Sequence, residues 1–200
     1  MKNKQSNLLF EKIKQQDLRG LNSLLVSFSN LNIVDKETEL PLLTYAVEEQ
    51  WIEGVEALID AGANVEFYAT YEDNALVSAI YSENKKIIEI LLRSGANPDA
   101  PWCLEIPLLV AIVKENIDIV KRLIEAGANI NSQDTEGDTP LMLAVQKNRF
   151  DLVKILVEHG ANMNIVSRDG STAWTLATEK GDHKICKYLS SIIVKNKRSK

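Results

Sequence analysis

An all-α solenoid of about six helix-turn-helix copies is the fold predicted by three observations on the 200-residue sequence. The tripeptide Gly-Ala-Asn recurs at Gly62, Gly95, Gly127 and Gly160, at spacings of 33, 32 and 33 residues. An alanine stands sixteen residues before each glycine (Ala46, Ala79, Ala111, Ala144). A leucine stands three before each alanine (Leu43, Leu76, Leu108, Leu141). Three anchors in one register, repeated at this period, mean a stack of units that cannot bury their apolar faces singly.

The first copy is degenerate, with Leu9, Ile13, Leu18, Leu21, Leu24 and Leu25 at the apolar positions and Phe28 in the glycine slot. In the following copies, first helices are predicted near residues 41–49, 74–82, 106–114, 139–147 and 172–180. Second helices are predicted near 53–61, 86–94, 118–126, 151–159 and 184–192. Thr139 and Thr172 are placed to cap first helices, and Pro107 and Pro140 suit a first turn where no amide partner is lost. The anchor alanine marks close helix packing, and clusters such as Ile87, Ile88, Ile90, Leu91 and Leu92 fill the space between copies. Each Gly-Ala-Asn glycine is expected to end its helix in the left-handed conformation, with a β-hairpin-like finger after it. The last copy, Thr172 to Leu189, loses the glycine at Ile193, as an end copy facing water does.

The best copy runs Asp134-Thr-Glu-Gly137-Asp-Thr139-Pro140-Leu141-Met-Leu-Ala144 and continues through Leu152, Val153, Ile155 and Leu156 to Gly160-Ala161-Asn162. It resembles the ankyrin repeat almost throughout, and the chain is identified on these residues as a member of that family. The register divides it into a flexible N-terminal tail 1–6, an ankyrin-repeat domain 7–194 and a basic C-terminal tail 195–200. Its repeats are 7–34, 35–67, 68–100, 101–132, 133–165 and 166–194.

Composition and motifs narrow the function. No apolar run approaches the roughly 18 to 20 residues of a membrane span. The N-terminus leads into charged amphipathic sequence, so no membrane role and a cytoplasmic home are expected. Two cysteines, Cys103 and Cys186, are too few for a disulfide framework or a four-ligand metal site. A net charge of −5 argues against general nucleic-acid binding. There is no phosphate-binding glycine loop, no dinucleotide fingerprint and no zinc spacing, so neither cofactor nor metal is expected. His159 falls in a last helical turn, where a cation suits the dipole, and His183 precedes the last helix. Cys186 occupies an apolar slot and is expected buried, and Cys103 is a passive finger thiol. No catalytic constellation emerges, and an enzyme is not expected.

The resemblance implies a binding protein that uses the concave face formed by first helices and finger tips. In the best copy that face carries Gln133, Thr135, Glu136, Asp138, Gln146 and Lys147. Two other fingers depart from the pattern, lacking the glycine found at Gly137 and Gly170 and carrying aromatic residues instead. Transferring the register gives the partner-binding set Glu48, Glu49, Tyr68, Tyr71, Asp73, Tyr81, Trp102 and Glu105, with Thr70 and Val113 beside it. Aromatic anchors dominate interface energetics. Residues 35–75 hold eleven acidic side chains against Lys36 alone, a net charge of −10 (11 negative, 1 positive). A protein partner with a basic surface is therefore expected, and a monomer is preferred to a homodimer. An inhibitor or immunity protein neutralising a cognate toxin is the favoured role, with a host-targeting effector or a self-associating scaffold as the alternative.

Overall fold

Each letter of Gly-Ala-Asn has its own structural task. The glycines at 62, 95, 127 and 160 have φ of 90°, 91°, 92° and 91°, a left-handed conformation that L side chains adopt only with strain. The alanine that follows donates its amide to a leucine carbonyl five residues back, Ala63 to Leu58, Ala96 to Leu91, Ala128 to Leu123 and Ala161 to Leu156. Those bonds satisfy carbonyls orphaned at the helix end. The asparagine side chain accepts the amide two residues on at 3.0 Å, as in Asn64 with Glu66 and Asn129 with Asn131.

The turn inside each copy is built the same way. The carbonyls of Ala46, Ala79, Ala111, Ala144 and Ala177 accept the amides of Trp51, Asn84, Asn116, Arg149 and Asp182. The residue before each donor is left-handed, yet Gln50, Glu83, Glu115 and Asn148 are not glycine, and their φ values are 51°, 54°, 57° and 55°. Only the last copy places glycine there, Gly181 at 67°. Such a conformation costs a non-glycine residue roughly 1 kcal/mol or more. Gln50→Gly is therefore expected to raise stability by about 0.5 kcal/mol after glycine's own entropy cost is subtracted, read as a shift in urea midpoint at unchanged slope.

The computed structural model describes the backbone of residues 2–69, 74–99 and 105–198 and the side chains of 6–69, 74–99 and 105–194. Among the described residues the chain is all-helical. It divides into two compact units, Met1–Pro107 and Leu108–Lys200. In the first, α1 (Lys2–Lys14) and α2 (Leu18–Leu25), α3 (Leu42–Glu48) and α4 (Ile52–Asp60), and α5 (Ala75–Tyr81) and α6 (Lys85–Arg93) form three helix pairs. First helices pack on first helices, α1 on α3 and α3 on α5, and second on second, α2 on α4 and α4 on α6. In the second unit the pairs are α7 (Pro107–Val113) with α8 (Ile117–Glu125), α9 (Pro140–Gln146) with α10 (Phe150–Glu158), and α11 (Ala173–Glu179) with α12 (His183–Arg198). There α9 packs on α11 and α10 on α12.

The core is the set of anchors. Ala46, Ala79, Ala111, Ala144 and Ala177 have no exposed surface, nor do Leu76, Ile87, Ile88, Leu91 and Leu108. Thr139 and Thr172 cap α9 and α11 through their hydroxyls at 3.2 Å, and Pro107 and Pro140 open α7 and α9. Asn74 caps α5 in the same way at 3.0 Å, buried, without having signalled itself in the sequence. Trp51, at the start of α4, is buried against Gly54.

Several expectations change in detail. Helix α1 starts at Lys2, inside the segment assigned to a flexible tail, and α12 reaches Arg198, inside the basic tail. The described fingers contain no strand. They are turns closed by one side chain, such as Asp134 accepting the Glu136 and Asp138 amides, and the only β-bridge among the described residues joins Val34 and Pro41. Cys186 is half-buried rather than buried, because it lies in the last copy, where no further repeat covers it.

Candidate functional site

The candidate surface lies wholly in the first unit. Helices α3 and α5 end on Glu48 and Tyr81, equivalent positions one repeat apart, and both side chains are exposed. Their anchor alanines fix both helices, so these two residues project side by side from packed elements. Tyr81 is 42% exposed and Tyr68, in the finger before α5, is 40% exposed. For large apolar rings that is a high exposure, and it leaves an edge or face available to a partner.

The Tyr81 hydroxyl donates a short hydrogen bond to the Glu105 carboxylate, joining the third copy to the finger of the fourth. Glu105 is half-buried and fixes the ring without covering it. Glu49, half-buried, lies beside the Tyr45 hydroxyl. Burial, then the charges of Glu49, Asp35 and Glu37, push the Tyr45 phenol above its ordinary value, so it stays a neutral donor. Phe10 packs edge-on against that ring, with centroids 5.3 Å apart. Between fingers, the Glu66 carboxylate accepts the Asn97 amide at 2.9 Å. The surface is thus fixed from below by helix packing and from the side by bonds between copies.

Tyr71, Asp73 and Trp102 lie outside the described residues, as do Thr70 and Cys103. Of the remaining residues, Glu48, Tyr68 and Tyr81 are exposed, Glu105 is half-buried and bonded to Tyr81, and Glu49 is set back against Tyr45.

The second unit uses its corresponding positions differently. Gln146, in the slot of Tyr81, donates to Asp138 at 2.7 Å within one copy. Burial raises the Asp138 pKa, opposed by the Gln146 bond and reinforced by Asp134 and Asp169. Arg149 bonds to Asp151 and Glu115, which hold its guanidinium firmly charged, and so joins neighbouring turns. His159 keeps a helix-end role, its Nδ1 2.8 Å from the Ile155 carbonyl. Among the described residues no group of three or more His, Cys, Asp or Glu side chains is arranged to hold a metal ion. No helix there is long and apolar enough to cross a membrane.

Comparison with known proteins agrees with this architecture. The family model described as ankyrin repeats (three copies) matches residues 9–101 and 108–199. A crystal structure of EF0377, an ankyrin-repeat protein, superposes with a TM-score of 0.77 at 29% identity, covering 92% of this chain and 96% of that one. A probable E3 ubiquitin-protein ligase, XBOS34, of Oryza sativa subsp. japonica is 30% identical over 93 residues, 46% of this chain but 18% of its own length. A putative ankyrin repeat protein, R664, of Acanthamoeba polyphaga mimivirus is 33% identical over 82 residues, 39% of this chain and 51% of its own length. The chain thus spans only a part of each of these two relatives. Matches across nearly all of both units, on a register whose every anchor has a structural task, show that the chain belongs to the ankyrin-repeat family.

Proposed function

We propose that this chain is a non-catalytic binding module that grips a basic surface of a partner protein with the first-helix and finger side of its first unit. The ankyrin fold is a scaffold for protein interaction, and the observation that supports this use of it is the exposure of Glu48, Tyr68 and Tyr81, with half-buried Glu105 bonded to Tyr81. Glu48, Tyr68 and Tyr81 stand in a stretch, 37–84, with no lysine or arginine. Two rings with few rotatable bonds supply contact area at small entropic cost, and the carboxylates supply steering and register. Tyr71, Asp73 and Trp102 extend the proposed surface on the sequence alone. Within this class we favour a cytoplasmic inhibitor that neutralises a basic toxin or nuclease, which the charge distribution supports.

The test is capture on the immobilised full chain from extracts of its source cells, followed by affinity measurement on the retained protein. Tyr81→Ala and Glu48→Lys are each expected to weaken binding, the tyrosine by about 2 kcal/mol or roughly thirty-fold in Kd. Retention of the same protein with equal affinity by wild type and both variants would contradict the assignment. Inhibition is tested by co-expression with the captured protein, where failure to suppress its activity or toxicity removes that role and leaves the binding surface in place.

A further inference from the structure

The second-helix side of the first unit carries another surface, which shares no residue with the one above. A groove of about 630 Å³ runs between α2 and α4. Leu18, Leu25 and Val26 form its apolar wall, and Glu53, Glu56 and Asp60 line the other side. We propose that this groove docks a short basic amphipathic helix of a partner protein.

Two features are at odds with the needs of folding and point to an occupant. Val26 is 87% exposed in the last turn of its copy, where later copies carry Asp60-Ala61, Arg93-Ser94, Glu125-Ala126 and Glu158-His159. An apolar side chain this exposed gains little from burial within the chain. The second feature is the pair Glu56 and Asp60, one helical turn apart on α4. The same two slots hold Glu89 and Arg93 on α6, Lys121 and Glu125 on α8, and Lys154 and Glu158 on α10. Glu89 and Arg93 form an ion pair at 2.5 Å, and Lys154 and Glu158 one at 3.7 Å. Like charges at this spacing repel where the other three helices place opposite ones.

No ion pair or hydrogen bond engages the side chains of Glu53, Glu56 or Asp60 among the described residues, and Arg19 is the only cation on α2. Apolar contacts along one wall and unneutralised acids along the other match a helix with apolar residues at i, i+4 and i+7 and Lys or Arg beside them. Helices of 8 and 9 residues frame the groove. At 1.5 Å per residue they give a length of about 12 to 14 Å, enough for two to three turns of the occupant.

The experiment uses the full chain and a fluorescent helical peptide with leucines at i, i+4 and i+7 and lysines at the flanking positions, alongside a version with glutamate for lysine. Val26→Asp and Glu56→Lys are each expected to weaken binding of the lysine peptide at least tenfold, whereas Tyr81→Ala leaves it unchanged and the glutamate peptide does not bind. Glu56→Lys creates an opposite-charge pair with Asp60, so its melting temperature is expected to rise by about 2 °C while binding falls, which separates lost binding from lost folding. Unchanged affinity in both groove variants overturns the proposal, as does an equal loss in Tyr81→Ala. Self-association of the wild type that Val26→Asp abolishes also overturns it, by making a second copy of the chain the occupant. Tyr81→Ala and the groove variants act on different ligands, so the two surfaces can fail separately.

Discussion

Leu76→Ala is expected to destabilise the first unit by about 2 to 5 kcal/mol, among the largest losses any single truncation here should produce. Leu76 has no exposed surface and sits on α5, which packs on both α3 and α6. Truncation removes transfer free energy and leaves a cavity among helices that meet through small alanines and cannot close over it. Repeat stacks derive stability from neighbour interfaces, so weakening α5 also loosens the copies on either side. Urea denaturation should show an early transition in the variant. Hydrogen exchange should locate the loss within α3 to α6.

Gly54→Ala is expected to cost about 1 to 3 kcal/mol, although alanine is the better helix former and the position lies within α4. A methyl group at residue 54 would fall 2.0 Å from Cε3 of Trp51, and Trp51 is buried. The indole lies across the first turn of α4, which has no side-chain cap. Either the ring is expelled or the turn opens. A fall in thermal midpoint with a red shift in tryptophan emission would report it. Trp51→Leu combined with Gly54→Ala should recover part of the loss, because the leucine leaves room for the methyl.

These predictions separate what was readable in the sequence from what was not. Gly-Ala-Asn, the anchor alanines and the leucines before them recur because each closes a turn or fills a contact every copy needs. Repetition made them visible, and the predicted helices fall within about two residues of those observed, except where α12 runs on to Arg198. Trp51 and Gly54 form a pair that only one copy uses, so no register announces it. The left-handed residues Gln50, Glu83, Glu115 and Asn148 escaped for a different reason: their conformation is common to the copies while their side chains are not.

The candidate site was legible in part. The register assigns Glu48 and Tyr81 to one surface, and both are exposed at helix ends, but it could not show that Tyr81 is held by Glu105, a contact between copies. Nor could it show Glu49 turned toward Tyr45. The groove between α2 and α4 was hidden because it combines an apolar residue from one copy with acids from the next.

The claim on which the functional account rests is that the acidic, aromatic side of the first unit steers and holds a basic partner. Its most direct test is the association rate of the captured partner as a function of ionic strength, for wild type and for Glu48→Lys/Glu49→Lys. Steering by this surface predicts a rate that falls about tenfold or more from 10 mM to 200 mM salt in the wild type, with a markedly flatter dependence in the double variant. Association that is indifferent to salt, or a dependence the two substitutions leave unchanged, would contradict it.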